Sequence, residues 1–398
     1  MVLSYPLSER MRKLQPSPIR EILKIASDPS FIPFAAGNPA PEAFPTQEIA
    51  RITAEILAEN PIGALQYAVT EGYNPLRETL KSFLMDSYNI GRETDELIIL
   101  SGAQQAMDFT CKVLCDEEDV IIVEEPSFVG ALNTFRSYRA NLIPVKLEED
   151  GISLEKMEQA LQEHAGRVRF IYLIPTFQNP SGLTMSLAKR KAVYELAKRY
   201  HVLIMEDNPY GELRFSGEHI PPIKSFDEDG LVIYVGTFSK VLAPGIRIGY
   251  ACGPKEIIAK MVVAKQCNDT HTNIMSQILC YRFMTENDFG QHLEFLRGVY
   301  RKKSSLMIDN LDRLVGDKIS YTRPNGGLFT WCELPPGVDM LAFVQALLES
   351  KLAVVPGNAF MVDPAQQVST FRMNYSTPTD EQLVRGVEIL ADVVGRTL

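Results

Sequence analysis

An α/β fold is what this chain predicts: a large domain on a mostly parallel sheet of about seven strands, and a smaller α+β domain. Three observations carry the expectation. From about residue 97, short β-branched runs alternate with helical stretches; most of these runs are continuously apolar; and the alternation changes character near Asp288. A strand that is apolar throughout is covered on both faces, as the strands of a parallel sheet are.

Seven segments read as strands of the large sheet: 97–100, 120–123, 142–145, 168–174, 202–205, 231–235 and 248–252. Helix-like runs begin near Ala103 and cover 154–164 and 186–200, so the connections read as right-handed crossovers. Past Asp288 come an amphipathic stretch at 292–314, a strand at 328–332 and a helix at 340–350. Strands at 353–355 and 370–375 and a helix at 381–394 follow. Residues 46–288 thus read as the large domain. Residues 1–45 and 289–398 read as an N-terminal segment plus a small C-terminal domain. The first forty or so residues show no sheet partners of their own and are expected to pack beside it.

Composition narrows the function. The 398 residues carry 40 Lys+Arg against 50 Asp+Glu, a formal charge of −10, which speaks against a general nucleic-acid or membrane-surface binder. A chain this long exceeds one hydrophobic core. Six cysteines make no disulfide framework; Cys111 and Cys115, four apart, read as buried small hydrophobes. No H-E-x-x-H or C-x-x-C occurs, so no metal is expected. With neither an apolar leader run nor a membrane-length apolar stretch, the expected location is cytoplasmic. Arg301-Lys302-Lys303 reads as a solvated helix face, and Trp331, the only tryptophan, as core.

In open parallel sheets, ligands sit beyond the carboxyl ends of the strands. After the first strand comes Ser101-Gly102-Ala103-Gln104, a turn opening a helix that reads either as a plain connection or as a phosphate cradle. Asn179-Pro180-Ser181-Gly182 is turn chemistry that could also aim an amide into a site. Asp207 ends another strand, with Tyr210 close behind. Thr237-Phe238-Ser239-Lys240 places a lysine just past an apolar strand, where desolvation lowers an amine's pKa. Two hydroxyls, Thr237 and Ser239, and Arg247 could neutralise a phosphate. Singly these residues say little. As a set they match what pyridoxal 5'-phosphate needs: an amine for its aldehyde, an acid for its ring nitrogen, donors for its phenolate and a cradle for its phosphate.

These motifs, in this order, resemble the fold-type I pyridoxal-phosphate aminotransferases of class I/II, and the likeness covers nearly the whole chain. Arg247 follows Lys240 by seven residues, as in that family. Pro324-Asn325-Gly326-Gly327-Leu328-Phe329, Val355-Pro356-Gly357-Asn358-Ala359-Phe360 and Phe371-Arg372-Met373-Asn374-Tyr375-Ser376 resemble its small-domain segments. The resemblance implies that Lys240 holds the cofactor and then carries the proton between substrate Cα and cofactor C4′. Asp207 would keep the ring nitrogen protonated. Tyr210 and Asn179 would bind the phenolic oxygen, and Phe128 would stack on the ring where relatives often have Tyr. Gly102, Ala103, Gln104, Thr237, Ser239 and Arg247 would hold the phosphate; Ala103 stands where many relatives carry Ser. Tyr67 would reach the phosphate of a neighbouring subunit, which implies a homodimer with shared sites. Arg372, with Asn179, would grip the substrate α-carboxylate. Cis peptides are implied before Pro126 and Pro180.

Pro16-Ser17-Pro18-Ile19-Arg20 and Ala35-Ala36-Gly37-Asn38-Pro39 are similar to segments of the kynurenine/2-aminoadipate aminotransferase subgroup. There Arg20 would meet the substrate side chain and Gly37 would lie near the carboxylate. The implied reaction is ping-pong amino transfer from an aromatic, 2-aminoadipate or branched-chain amino acid to 2-oxoglutarate. The same scaffold also serves β-lyases, decarboxylases and racemases. A ligand-sensing regulator is the rival of another class. It would carry a winged-helix domain ahead, and the roughly 35 residues before Gly37 are too few for one.

Overall fold

The computed structural model describes residues 5–12, 14 and 28–397. One sheet contains β1 (Asp95–Leu100), β2 (Val120–Glu125), β3 (Asn141–Glu148), β4 (Gly151–Ile152), β5 (Val168–Leu173), β6 (Leu203–Asp207), β7 (Val232–Thr237) and β8 (Gly249–Pro254). Its order is β1-β8-β7-β6-β5-β2-β3-β4. Only β8 and β4 run against their neighbours, so the sheet is mainly parallel as expected. It has eight strands rather than seven, because β4 is a two-residue return along β3, too short to leave a pattern in the sequence.

Both faces are covered, which explains the continuous apolar runs. Ile121 and Val123 join Phe170, Met205 and Ile233 in one core cluster, while Val120 and Ile122 join Ile171, Ile204 and Val232 in the other. The pleat sends successive residues to opposite faces, and here each face is core. Helices flank the sheet, and their starts follow capping chemistry. The Ser186 hydroxyl accepts from Lys189 N at 3.2 Å to open Leu187–Tyr200, and Asp288 accepts from Gln291 N at 2.9 Å to open Phe289–Val315.

A second, antiparallel sheet is ordered β11-β12-β10-β9, from β9 (Ser320–Tyr321), β10 (Phe329–Glu333), β11 (Val355–Pro356) and β12 (Thr370–Asn374). The strand expected at 353–355 shrinks to two residues. Between residue 46 and β1, where the sequence reading named no element, lie helices Thr46–Glu59, Pro61–Leu65 and Asn74–Tyr88. Residues 32–34 do pack beside the second sheet, but they are not without partners. Ile32 bridges Leu352 in parallel, and Asn374 N donates to Phe34 O at 2.8 Å.

Three smaller expectations change. Lys303 is buried, its ammonium donating to Pro378 O at 2.6 Å and pairing with Glu42 at 3.0 Å, so only Arg301 and Lys302 are solvated. Cys111 is buried, but Cys115, at the end of its helix, is half-buried. Trp331 is likewise half-buried, edge-on to Phe360 with centroids 5.7 Å apart. Among the described residues, no helix is long and apolar enough to cross a membrane.

The amino edge of the large sheet is held by charge. Lys224 Nζ lies 2.7 Å from Asp95 Oδ1 and 2.8 Å from Asp227 Oδ2, with all three side chains at most 2% exposed. Asp227 also accepts from Leu231 N and Val232 N at 2.9 and 3.0 Å, so the start of β1 is tied to the start of β7. Removing the cation leaves two buried carboxylates facing each other. Lys224→Met is expected to destabilise the protein by about 3–5 kcal/mol in urea unfolding, without changing KM of the folded fraction, because the site lies at the opposite edge.

Candidate active site

At the carboxyl edge of β1, the chain turns at Gly102 (φ +86) into helix Ala103–Leu114. A side chain at that φ would be strained, and its Cβ, 2.2 Å from Arg247 Nη2, would push the guanidinium aside. Arg247 arrives at this edge because β8 is antiparallel: lying two residues before that strand, it sits where the other strands end. Arg247 Nη2 donates to Ser101 O at 3.1 Å, and Nη1 lies 3.5 Å from Ser239 Oγ. Thr237 Oγ1 lies 2.9 Å from Ser239 Oγ and accepts from Ser239 N at 3.1 Å. Behind the turn, fully buried Lys265 pairs with Asp269 at 2.8 Å, and Asp269 accepts from Ser101 Oγ at 2.9 Å. A helix amino end, two hydroxyls and a guanidinium thus converge, as an anion requires.

Beside this cradle opens a cavity of about 350 Å³, walled by Lys240, Asp207, Asn179, Tyr210, Phe128 and Arg372 among others. Lys240 Nζ donates to Gly37 O at 2.8 Å. Burial, with Arg372 and Arg247 nearby, brings its pKa down to about 8. Asp207 is 2% exposed and accepts from Tyr172 OH at 2.8 Å through Oδ2. Burial pushes its carboxyl up to about 7. Arg372, on β12, donates to Asn179 Oδ1 at 2.8 Å and to Ala35 O at 2.9 Å, and its guanidinium lies 4.1 Å over Phe329 and 5.0 Å over Phe360. Burial lowers its pKa to about 10, still high enough to keep it charged. Burial also holds the Tyr210 hydroxyl well above its usual range, hence protonated.

Two buried atoms at this cavity have no hydrogen-bond partner among the described residues: the acceptor Asp207 Oδ1 and the donor Arg372 Nε. Unmatched buried polar atoms are costly and rare. A protonated ring nitrogen answers the first and a carboxylate the second, while the cradle suits a phosphate and Lys240 an aldehyde. The residues therefore fit pyridoxal phosphate together with an amino-acid substrate.

The structure gathers Gly37, Ala103, Gln104, Phe128, Asn179, Asp207, Tyr210, Thr237, Ser239, Lys240, Arg247 and Arg372 around one cavity, with Gly102 at its edge. The peptides before Pro126 and Pro180 are cis. The Gln104 amide is turned away to Gly130 O at 2.9 Å, which leaves its backbone for the anion. Tyr67 does not reach the cavity of its own chain; it is 82% exposed, edge-on to His271. Arg20 lies outside the described residues. Sequence reading missed Tyr172, which passed for core in an apolar strand, and gave no role to Phe329, though it stood in a quoted motif.

The family model for aminotransferase class I and II matches residues 29–390. The chain is 37% identical to aromatic-amino-acid aminotransferase 1 of Thermococcus litoralis, over 97% of this chain and 93% of that protein. It is 39% identical to a 2-aminoadipate transaminase of Thermus thermophilus, over 95% and 94%. The crystal structure of Pyrococcus horikoshii kynurenine aminotransferase, solved in complex with PMP, matches with a TM-score of 0.95 at 36% identity, covering 99% of this chain and 98% of that one. A site built to these demands, in a chain matched almost end to end, places the protein in the aminotransferase class I and II family as a pyridoxal-phosphate-dependent aminotransferase.

Proposed function

We propose that the protein moves an amino group from an L-amino acid of aromatic, 2-aminoadipate or branched-chain type to 2-oxoglutarate, in two half-reactions on one site. The observation that carries this reading is the unmatched pair, Asp207 Oδ1 and Arg372 Nε, on the cavity that also holds a lysine of lowered pKa. The names of the relatives, an aromatic-amino-acid, a 2-aminoadipate and a kynurenine aminotransferase, support the aromatic and 2-aminoadipate part of that range. When bound, pyridoxal phosphate supplies an aldehyde and an electron-withdrawing ring. The chain does the rest. Lys240 would provide the amine that holds the cofactor and, once freed from it, would be the base that takes the proton from substrate Cα. Asp207, held by Tyr172, keeps a proton on the ring nitrogen. Arg372 and Asn179 grip the α-carboxylate that every donor and acceptor shares, while Phe128 covers one face of the ring. Gly37, through its carbonyl, steadies the Lys240 amine. Arg20 reads the far end of the substrate, and the protein works in the cytoplasm.

The working unit in this proposal is a homodimer. Ile62, Leu65 and Tyr67 are 72, 70 and 82% exposed within one short stretch, and Val69 follows. Such a patch suits a partner surface, and Tyr67 is free to reach the partner's phosphate cradle. Leu65→Asp should give a monomer by sedimentation with activity reduced at least about tenfold; an active monomer would end this part of the proposal.

With its pKa near 8, Lys240 is uncharged in roughly a tenth of molecules at pH 7 and in about nine-tenths at pH 9. The rate at which apoenzyme captures pyridoxal phosphate, followed by visible absorbance, should rise about tenfold over that interval and then level off. Lys240→Ala should show no such phase.

A panel of L-phenylalanine, L-2-aminoadipate and L-leucine, with 2-oxoglutarate as acceptor, tests the substrate class by glutamate formed. Arg372→Ala should raise KM for each accepted donor at least about thirtyfold, the equivalent of ~2 kcal/mol. An unchanged KM would remove Arg372 from the carboxylate.

A further inference from the structure

Gln178 has no part in the chemistry above, yet it is among the most buried polar side chains near the cavity, 2% exposed. Its Nε2 donates to Pro126 O at 2.8 Å and lies 3.4 Å from Glu124 Oε2. Its Oε1 accepts from both Ser181 N and Ser181 Oγ, at 2.8 and 2.7 Å. Pro126 and Ser181 belong to different turns. The first leads from β2 to Phe128; the second carries Asn179, which holds Arg372. The β2–β5 ladder ends at Val123 and Tyr172. Beyond it, Glu124 Oε2 accepts from Ile174 N at 3.0 Å, and the Gln178 amide continues the connection.

We propose that Gln178 is a positioning residue for amino transfer: its amide locks the Phe128 turn and the Asn179 turn into one unit. The ring-covering phenyl and the carboxylate grip thereby keep a fixed spacing. This rests on the roles given above to Phe128, Asn179 and Arg372. No apolar residue of similar size can replace the amide, because the donor and the acceptor face opposite turns.

The surroundings supply a diagnostic test. In Gln178→Glu, one carboxyl oxygen still accepts from Ser181, but a donor toward Pro126 O exists only while the carboxyl is protonated. Glu124 from β2, already pushed up to about 7 by burial, would face it, with Asp207 of β6 close to Glu124 and Arg372 of β12 behind Asn179. Two adjacent carboxyls cannot both ionise easily, so the proton stays into the neutral range.

The experiment compares Gln178→Glu and Gln178→Leu holoenzymes with the unaltered protein. It reads the visible circular dichroism of the bound cofactor at equal loading, and KM and kcat for the donors accepted in the panel. For Gln178→Leu, KM should rise about tenfold, more than kcat falls, and the ellipticity should drop to about half at every pH. For Gln178→Glu, the same losses are expected near pH 9, with recovery to within about twofold of the unaltered protein near pH 6. The proposal is overturned if Gln178→Leu keeps its ellipticity and KM, or if the losses in Gln178→Glu do not change with pH, since a residue that only fills space gives no recovery. The dichroism does not depend on the donor. Should the unaltered protein turn over none of the three amino acids, the proposed substrate class fails while the dichroism still decides the case of Gln178.

Discussion

Two mismatched atoms govern this molecule. Asp207 Oδ1 and Arg372 Nε are buried on one cavity without partners from the described chain, and each unmatched group costs about 1–3 kcal/mol. A fold tolerates that only where the surroundings leave no alternative. Tyr172 pins the carboxyl through its other oxygen, while Asn179, Ala35 and two phenyl rings pin the guanidinium. The groups are thereby held in the positions that the proposed cationic ring and substrate carboxylate require. Little reorganisation is left for the moment of reaction, the condition under which electrostatic catalysis is strongest.

The sheet makes this possible by bringing unlike residues to one edge. Parallel strands deliver Ser101, Asp207 and Thr237 at their carboxyl ends. The antiparallel β8 delivers Arg247 from its amino end, so a residue ten positions past Thr237 returns to the same cradle. Charge also organises the opposite edge, where Lys224 and two aspartates brace β1 against β7. The anion site and its brace are thus set at the two ends of the same strands.

Much of this was legible in the sequence. Strands covered on both faces leave continuous apolar runs, and the polar residues that interrupt them fall at the strand ends, which is why Asp207 and Lys240 stood out. What escaped notice depended on partners distant along the chain. Tyr172 meets Asp207 35 residues later, and Gln178 meets Pro126 52 residues earlier, so neither contact leaves a local pattern. Lys303 looked solvated because its partners, Pro378 and Glu42, come from opposite ends of the sequence. β4 was too short to register. In the proposed homodimer, the surroundings of Tyr67 include a second chain and cannot be read from one.

Arg372 is committed on several sides at once, to the Asn179 turn, to the N-terminal stretch through Ala35, and to the rings of Phe329 and Phe360. A residue so shared has little freedom to drift, since changing it would unsettle three segments together. Divergence toward new amino acids is therefore channelled into parts of the wall that bear no such obligations, and a lineage could exchange its preferred substrate many times over while this one guanidinium stays where it is.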